Sequence, residues 1–456
     1  MSDGRYWLQT LGCPKNQVDS DKLEGLLRAD GYAPARGPGE ADLVVVNTCA
    51  FVEAAREESI EAVLELADAR RPGARLVVTG CMAERYGDEL AGALPEVDLV
   101  AGFGQRLVPT VRAVRTPVRT PVRTPARATA ASFDLLSLPR PPAAAPWAYV
   151  KVAEGCDRRC GFCAIPSFRG AQRSRDRRDV VAEVRGLVSD ASMPVKEVVL
   201  VAQDLASYGA DRSTRHREGR EAPRRPGPLV ALVREVAGLA ARTRLLYLYP
   251  SGLTDELVET ILSTGVPYFD LSLQHASRPL LGRMRRWGDG ERFLERITRI
   301  RKAAPEATFR SSFIVGYPGE TEADHCELLA FLEAAQLDWA GFFPYSREAG
   351  THADGLGEHV PPGLVAERLA ECGEAQDAIT ARRRDGLVGL VRQVLVDAPG
   401  EARTVHEAPE IDGIVKVPQR LAVGSLVDVR IVSSLGTDLV GEPCTDKAPA
   451  QTRLPV

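Results

Sequence analysis

Three cysteines within one short stretch constrain this chain more than any other feature. Cys156, Cys160 and Cys163 are separated by three and then two residues, in the segment GCDRRCGFC. A four-iron cubane takes one thiolate per iron, so three such cysteines hold three irons and leave the fourth iron open. An open metal position is typical of a centre that acts on a bound ligand. The spacing therefore predicts a 4Fe-4S cluster with a chemical role.

Two other uses of these cysteines are weaker. A zinc site needs a fourth ligand nearby, and the next histidine downstream is His216, far beyond the three cysteines. A disulfide framework needs an even number of cysteines and an export signal, and the chain starts without one. No apolar run approaches the roughly 20 residues that span a bilayer. We therefore expect a soluble, cytoplasmic protein that makes no contact with a membrane.

Three more cysteines are spread over the N-terminal part of the chain. Residues 6–11, 43–47 and 75–79 are predicted to be buried strands with helices between them. Each strand is followed by a cysteine, and these are Cys13, Cys49 and Cys81. Ligands of open parallel sheets bind beyond the carboxyl ends of the strands, so we expect these cysteines to meet in one crevice. They predict a second iron-sulfur cluster, and the alternative is three cysteines of an apolar core.

The chain is too long for one ordinary core, at 456 residues, and its fold class is predicted to be α/β. Residues 1–105 form the N-terminal parallel α/β domain, and residues 106–146 form a linker rich in Arg, Thr and Pro. Six βα units in residues 147–384 predict a partial TIM-like barrel, whose active site lies at the carboxyl ends of its strands. A long helix is predicted at about residues 362–385. Residues 385–456 carry short strands, among them 403–406 and 411–417, and predict a small all-β barrel.

The predicted C-terminal barrel is acidic. Residues 386–446 contain nine Asp and Glu against five Lys and Arg. A net negative surface repels a phosphate backbone and favours a basic protein partner. We expect Glu407, Glu410 and Asp412 to form a docking surface for such a partner.

These features together resemble a known enzyme family. With Phe162 before its last cysteine, the 156–163 segment resembles the signature of radical S-adenosylmethionine (SAM) enzymes. The N-terminal cysteines and a final barrel similar to a TRAM domain complete a pattern that resembles the radical SAM methylthiotransferases. The resemblance implies a transferase with two 4Fe-4S clusters, one at each set of cysteines, and SAM as a further cofactor. In that family one cluster cleaves SAM to a 5′-deoxyadenosyl radical, and the N-terminal cluster holds or relays sulfur.

The family contains two classes. Residues 11–16 (LGCPKN), 203–204 (QD), 274–277 (QHAS) and 408–413 (APEIDG) resemble the class that modifies the β-carbon of an aspartate in ribosomal small-subunit protein twelve. This implies as partners that protein, free or in the 30S particle, a low-potential electron donor such as flavodoxin or ferredoxin, and a sulfur donor. Enzymes that modify an adenosine of transfer RNA are the alternative. A non-catalytic iron-sulfur carrier or sensor is a more distant one.

The resemblance also places a few residues near SAM. The expected contacts are Phe162, Gln274, Gly316 and Glu320. Gly316 and Glu320 follow a predicted strand, where radical SAM barrels have a turn that binds SAM. Their alternative role is a turn followed by a helix start. No catalytic residue is expected beyond the cluster ligands.

Overall fold

The computed structural model describes residues 4–105, 107, 135–212 and 227–444. The Arg-Thr-Pro repeat of the predicted linker, residues 115–125, lies outside these ranges. The described residues form three sheet systems in chain order, which are an N-terminal sheet, a half-open barrel and a small closed barrel. None of the helices in these ranges is both long and apolar enough to cross a membrane.

The N-terminal sheet has five parallel strands in the order β2-β1-β3-β4-β5. Its strands are β1 (Gly4–Thr10), β2 (Tyr32–Pro34), β3 (Leu43–Thr48), β4 (Arg75–Gly80) and β5 (Leu99–Val100). Its helices are α1 (Pro14–Ala29), α2 (Glu53–Ala69) and α3 (Cys81–Ala93). β3 is buried throughout, and its first four residues are apolar because both faces of a parallel sheet are covered. Val44 and Val46 pack into one core, and Leu43 and Val45 pack into the other. Because β1, β3 and β4 are neighbours in this parallel sheet, their carboxyl ends lie side by side.

The half-open barrel contains two sets of three parallel strands, in the orders β10-β9-β6 and β11-β12-β13. The strands are β6 (Trp147–Lys151), β9 (Glu197–Val201), β10 (Arg242–Leu245), β11 (Tyr268–Gln274), β12 (Thr308–Val315) and β13 (Trp339–Pro344). A parallel bridge from Leu248 to Leu271 joins the two sets into one wall of six strands. Within the described residues no ladder pairs β6 with β13, so the wall stays open. The prediction of a partial TIM-like barrel is confirmed.

Helices and one short ribbon accompany these six strands. The ribbon is β7 (Ala153–Glu154) paired with β8 (Arg173–Ser174). The helices are α4 (Ile165–Arg169), α5 (Arg177–Val188), α6 (Pro228–Ala237), α7 (Asp255–Ser263), α8 (Arg278–Arg283), α9 (Gly290–Ala303) and α10 (Glu322–Ala335). Apolar residues of α5, α6, α7, α9 and α10 pack with the strands in one continuous core. This core holds the six strands in place, and the loops that follow the strands lie at the carboxyl end of the wall.

The C-terminal part begins with α11 (Pro362–Asp385) and continues as a closed barrel in the order β14-β15-β16-β18-β17. Its strands are β14 (Val391–Ala398), β15 (Glu401–Arg403), β16 (Val415–Lys416), β17 (Leu426–Leu435) and β18 (Asp438–Pro443). Its core contains Val394, Val429 and Ile431, which are fully buried. The predicted small all-β barrel is confirmed.

Buried charges fix the closed barrel to the half-open one. Glu197 of β9 accepts hydrogen bonds from Arg244 Nε at 2.7 Å and from Arg403 Nη1 at 3.0 Å. All three side chains are buried. Burial alone raises the pKa of Glu197, but the two guanidinium groups lower it to about 2. The carboxylate is therefore ionised and shared between the two barrels.

The prediction of an acidic docking surface on the closed barrel is wrong. Glu407 is buried and forms an ion pair with Arg384 of α11. The Asp412 side chain is also buried, and it accepts a hydrogen bond from Tyr268 Oη at 2.6 Å. Of the three acids only Glu410 is exposed. The acidic segment lies inside because α11 and the half-open barrel supply donors that satisfy its carboxylates.

Candidate active site between two cysteine triads

Both sets of cysteines line a single cavity between the N-terminal sheet and the half-open barrel. The cavity has a volume of about 500 Å³, and its walls are residues at or beyond the carboxyl ends of strands from both sheets. Ligand sites of parallel sheets and barrels lie at this end. The cysteines that line it are Cys13, Cys49 and Cys81, which we term the N-terminal triad, and Cys156, Cys160 and Cys163, which we term the barrel triad.

The N-terminal triad is held together by the residues around it. Gly12 has a φ of +94°, and a Cβ at this position would lie 2.8 Å from the Cβ of Cys49, so only glycine fits. The Asn16 Nδ2 donates hydrogen bonds at 2.9 and 3.1 Å to the backbone carbonyls where β1 and β3 end. The loops after these two strands are thereby fixed against each other, with their cysteines facing the cavity.

The thiols of the N-terminal triad influence one another. Burial, together with the charge of a nearby Cys13 thiolate, raises the pKa of Cys49 to about 12. Burial also raises the pKa of Cys81. At Cys13 burial has the same effect, but the charges of Lys15 and Arg169 outweigh it and lower the pKa. Metal binding at this triad must release protons from the buried thiols, as in other thiolate sites.

The barrel triad lies on the loop between β7 and α4. Gly155 starts this loop with a φ of +75°, and a Cβ there would overlap the backbone carbonyl of Ala171 on the facing segment. The backbone N–H of Arg158 donates to Cys156 Sγ at 3.4 Å, and Arg286 Nη1 donates to Cys160 Sγ at 3.3 Å. Hydrogen bonds of this kind stabilise the thiolates of an iron-sulfur cluster.

The donor set of each triad fits an iron-sulfur cluster. Burial, together with the charge of a nearby Cys160 thiolate, raises the pKa of Cys156 to about 11 and that of Cys163 to about 12. In the part of the chain that the structure describes, no three Cys, His, Asp or Glu side chains come close enough to hold a single metal ion. A four-iron cubane binds each thiolate at a different iron, so its ligands do not converge on one point.

Arg169 connects the N-terminal triad with the half-open barrel. Its Nη2 donates to Cys81 Sγ at 2.9 Å and to Asn16 Oδ1 at 2.7 Å. Its Nη1 donates to Glu154 at 2.9 Å, just before the loop of the barrel triad. Burial opposes the charge of this guanidinium, but Glu154 and Cys81 raise its pKa well above the ordinary value. The side chain is therefore a charged link between the two triads.

The residues expected near SAM fall into two groups. Phe162 and Gln274 line the cavity, whereas Gly316 and Glu320 are not among the described residues that line it. Gln274 ends β11 with a φ of +74°, which is strained for a residue other than glycine. Glu320 accepts the Gly316 N–H at 2.6 Å and pairs with Arg368 at 3.0 Å. These contacts of Gly316 and Glu320 are those of a turn that leads into α10.

Three charged residues of the cavity were missed by the sequence patterns. Lys15 lies in the LGCPKN segment, two residues from a predicted cluster ligand, but no role was predicted for it. No sequence pattern indicated a functional role for Arg286. Glu348, beyond β13, accepts hydrogen bonds from Arg56 at 2.9 Å and from Arg85 at 2.6 Å, and it joins the barrel to α2 and α3 at the cavity wall. No local pattern indicates a contact between such distant positions.

Family models match the three parts of the chain in turn. Residues 5–102 match "Uncharacterized protein family UPF0004", residues 150–332 match the radical SAM superfamily and residues 388–444 match the TRAM domain. The half-open barrel with its cysteine triad is thus that of a radical SAM enzyme, a class that uses an iron-sulfur cluster and SAM.

Several curated relatives are similar over nearly the whole chain. The "Ribosomal protein uS12 methylthiotransferase RimO" of Streptomyces coelicolor is 42% identical over 96% of both chains. Its namesake in Cutibacterium acnes is 41% identical over 96% of this chain and 97% of the relative. The Geobacter sulfurreducens protein of that name is 39% identical over 95% of this chain and 97% of the relative. This chain therefore belongs to the RimO family of radical SAM methylthiotransferases.

Solved structures with a similar fold are more distant in sequence. The radical SAM methyltransferase TsrM from Kitasatospora setae, with cobalamin and a [4Fe-4S] cluster bound, gives a TM-score of 0.54 at 14% identity. The match covers 93% of this chain and 84% of that chain. The same enzyme with tryptophan and a SAM analogue gives a TM-score of 0.52. At this identity the likeness shows a shared fold.

Proposed function

We propose that this chain transfers a methylthio group to the β-carbon of an aspartate in ribosomal protein uS12. The observation that supports this most directly is the single cavity with both cysteine triads in its wall. A reaction that joins sulfur to an unactivated carbon requires both centres close to the same substrate atom. A cavity of about 500 Å³ has the size of a ligand site and accommodates a side chain together with a small cofactor.

In this proposal each triad holds one 4Fe-4S cluster. The N-terminal cluster is held by Cys13, Cys49 and Cys81, and the barrel cluster by Cys156, Cys160 and Cys163. When bound there, the clusters and SAM supply the radical, the sulfur and the methyl group. Arg286 and the Arg158 backbone donate hydrogen bonds to the barrel thiolates, and Arg169 does so at the N-terminal triad. Phe162 and Gln274 are the proposed SAM contacts.

Electrons and sulfur must come from other molecules. We propose a low-potential donor such as flavodoxin or ferredoxin for the electrons, and a separate sulfur donor. The substrate is uS12, free or in the 30S particle, which would place the reaction in the cytoplasm. Reduced thiols suit that compartment, and all six triad cysteines are unpaired in the structure.

The test supplies the anaerobically reconstituted enzyme with SAM, a reductant and sulfide, and offers it isolated uS12, 30S particles and transfer RNA in parallel. We expect mass spectrometry to find one methylthio group in place of one hydrogen on uS12, and unmodified transfer RNA nucleosides. The variant with Ala at Cys156, Cys160 and Cys163 serves as the control and should give no product.

Each other outcome identifies a different function. Methylthiolated adenosine with unmodified uS12 would replace the proposed substrate by transfer RNA. A chain that binds iron but forms no 5′-deoxyadenosine with any substrate would be a carrier of clusters.

A further inference from the structure

Lys15 holds an unusual position in the cavity. It is the second residue of α1 and lines the cavity, and only 8% of its surface is exposed. Its Nζ lies 3.2 Å from the centre of the Tyr247 ring, just beyond the end of β10. Tyr247 adopts a φ of +64°, which is rare for a bulky residue. An ammonium of the N-terminal part is thus held against an aromatic face of the barrel, at the boundary between the two triads.

The arginines that line the cavity all bind partners. Arg158 pairs with Asp204 at 2.7 Å, and Arg310 lies 3.3 Å from Asp270. Arg169 pairs with Glu154, as described above.

Arg286 has no acidic partner in the part of the chain that the structure describes, but it donates to Cys160 Sγ and to the Ser272 carbonyl. Lys15 differs from all of them. Within the described residues its ammonium makes no hydrogen bond and no ion pair, and it lies over the Tyr247 ring.

The anionic groups near Lys15 cannot serve it either: the Cys13 thiol is a proposed cluster ligand, and Asp270 pairs with Arg310. Asp204 is neutralised by Arg158, and Glu348 is neutralised by Arg56 and Arg85. The first turn of α1 carries no acidic residue, so the positive end of the helix adds to the charge of Lys15. A buried ammonium without a hydrogen-bond acceptor is unfavourable, and an arriving carboxylate would supply one. This corner of the cavity therefore favours a carboxylate ligand.

We infer that Lys15 forms a carboxylate subsite that binds the side chain of the substrate residue. The inference rests on the proposed function, because an aspartate brings a carboxylate into the cavity and an adenosine does not. The carboxyl carbon of an aspartate is bonded directly to the β-carbon. Lys15 follows Cys13 by two residues, so a carboxylate held there keeps the β-carbon between the N-terminal triad and the barrel wall. Lys15 is thus a positioning and specificity-determining residue.

SAM brings a carboxylate of its own, so the test must separate two sources of the same chemistry. It uses the reconstituted enzyme with SAM and without reductant, so that no turnover occurs. Two peptides of the uS12 sequence serve as probes, one with the target aspartate and one with asparagine in its place. Their dissociation constants are measured by fluorescence anisotropy for the parent, for Lys15→Met and for Lys15→Gln. The dissociation constant of SAM is measured on the same samples.

We expect the parent to bind the aspartate peptide roughly 10- to 100-fold more tightly than the asparagine peptide, as for a hydrogen bond between charged groups. Both Lys15 variants should bind the two peptides with equal affinity and should retain the parent's affinity for SAM and its iron content. Lys302→Met removes the same charge from the exposed end of α9 and should keep the parent's preference. Lys15→Gln keeps a polar side chain, so it covers the case in which Lys15→Met fails to fold.

Three results would overturn the inference. Variants that still prefer the aspartate peptide would show that another group binds the carboxylate. A loss of SAM affinity with an unchanged peptide preference would assign Lys15 to the carboxylate of SAM. A parent that binds both peptides equally would overturn the inference alone, because the methylthiolation assay on uS12 and transfer RNA tests the proposed function separately.

Discussion

A single carboxylate, Glu197, lies where the half-open barrel meets the closed barrel. Arg244 approaches it from β10 and Arg403 approaches it from β15. A buried ion pair adds little net stability compared with an apolar contact, because both groups lose their hydration. Loss of one member is costly, because the remaining charge stays buried without a partner. The junction therefore depends on all members being present.

We expect Glu197→Gln to lower the free energy of unfolding by about 3 to 5 kcal/mol, because it leaves Arg244 and Arg403 without their shared anion. Denaturant titrations followed by circular dichroism measure the change. Glu401→Gln, at an exposed position of the same closed barrel, is the matched control and should change the value by less than about 0.5 kcal/mol.

Glu197 also makes stability depend on pH. Its pKa in the folded protein is about 2, below the ordinary value of 4.5. A carboxyl group with a lowered pKa contributes stability above its ordinary pKa, and this stability is lost as the pH falls toward the folded value. The parent should lose stability between pH 4.5 and 2 more steeply than Glu197→Gln. Equal slopes would contradict this role.

At the residue scale the sequence predicts the six cysteines but few of their neighbours. The barrel triad is local, so its spacing is visible in one segment. The N-terminal triad is visible because each of its cysteines follows a predicted strand. Arg169 and Arg286 reach their sulfur atoms only through the packing of distant segments, and arginines are too common for a pattern to distinguish them. Glu407 and Asp412 were misjudged because a count of charges does not show which carboxylates are buried.

At the scale of elements, the loops after the strands carry the chemistry. The N-terminal triad uses the ends of β1, β3 and β4, and the barrel triad uses the loop after β7. The two sets of loops belong to separate sheets, so each triad can be altered without unfolding the other.

We expect the reconstituted parent to hold about eight irons per chain. Replacing Cys156, Cys160 and Cys163 with Ala should halve the iron and abolish formation of 5′-deoxyadenosine. Replacing Cys13, Cys49 and Cys81 with Ala should also halve the iron, but it should leave reductive cleavage of SAM measurable while product formation stops. Iron analysis and chromatography of the nucleoside measure both effects.

The two triple variants are controls for each other. An iron content that stays at the parent's value in either variant would remove that triad from the cluster ligands. If the N-terminal variant remains folded and still loses all SAM cleavage, the two centres are not separable.

Long elements were predicted well, and short ones were not. The long helix α11 was expected at residues 362–385 and is found at Pro362–Asp385. Strands were expected at 403–406 and 411–417, but β15 ends at Arg403 and β16 contains only Val415 and Lys416. Between them Glu407 accepts hydrogen bonds from the Thr404 backbone N–H and hydroxyl, both at 2.7 Å. Such local side-chain bonds replace the ladder bonds of a strand, and strand propensity does not reveal them.

At the scale of the whole molecule, Glu348 joins the N-terminal part to the barrel at the wall of the cavity. Its carboxylate is buried between Arg56 of α2 and Arg85 of α3. These arginines are more than 250 residues away in sequence, at separations of 292 and 263. The sequence predicts each domain from its own pattern, but it contains no local pattern for the contacts between domains.

We expect Glu348→Gln to loosen this contact and admit water and reductant to the cavity, because two arginines would lose their shared carboxylate. The ratio of 5′-deoxyadenosine to methylthiolated product should rise several-fold, as measured by chromatography and mass spectrometry of one reaction. Asp354→Asn removes an exposed ion pair with Arg347 from the same segment, and the ratio should stay at the parent's value. A folded Glu348→Gln enzyme with an unchanged ratio would show that the contact does not seal the cavity.

Among the strands that the structure describes, β6 and β13 at the open side of the barrel wall have no neighbour on one side. Such edges present unpaired backbone groups on which another chain can add a strand and begin to aggregate. Here α1 lies against β6, and α11 lies against β13. Arg140 Nη1 also donates to the Tyr149 carbonyl of β6 at 2.6 Å. The flanking domains thus shield the barrel from self-association. A fragment that contains the barrel alone would expose two unpaired strand edges and would tend to aggregate.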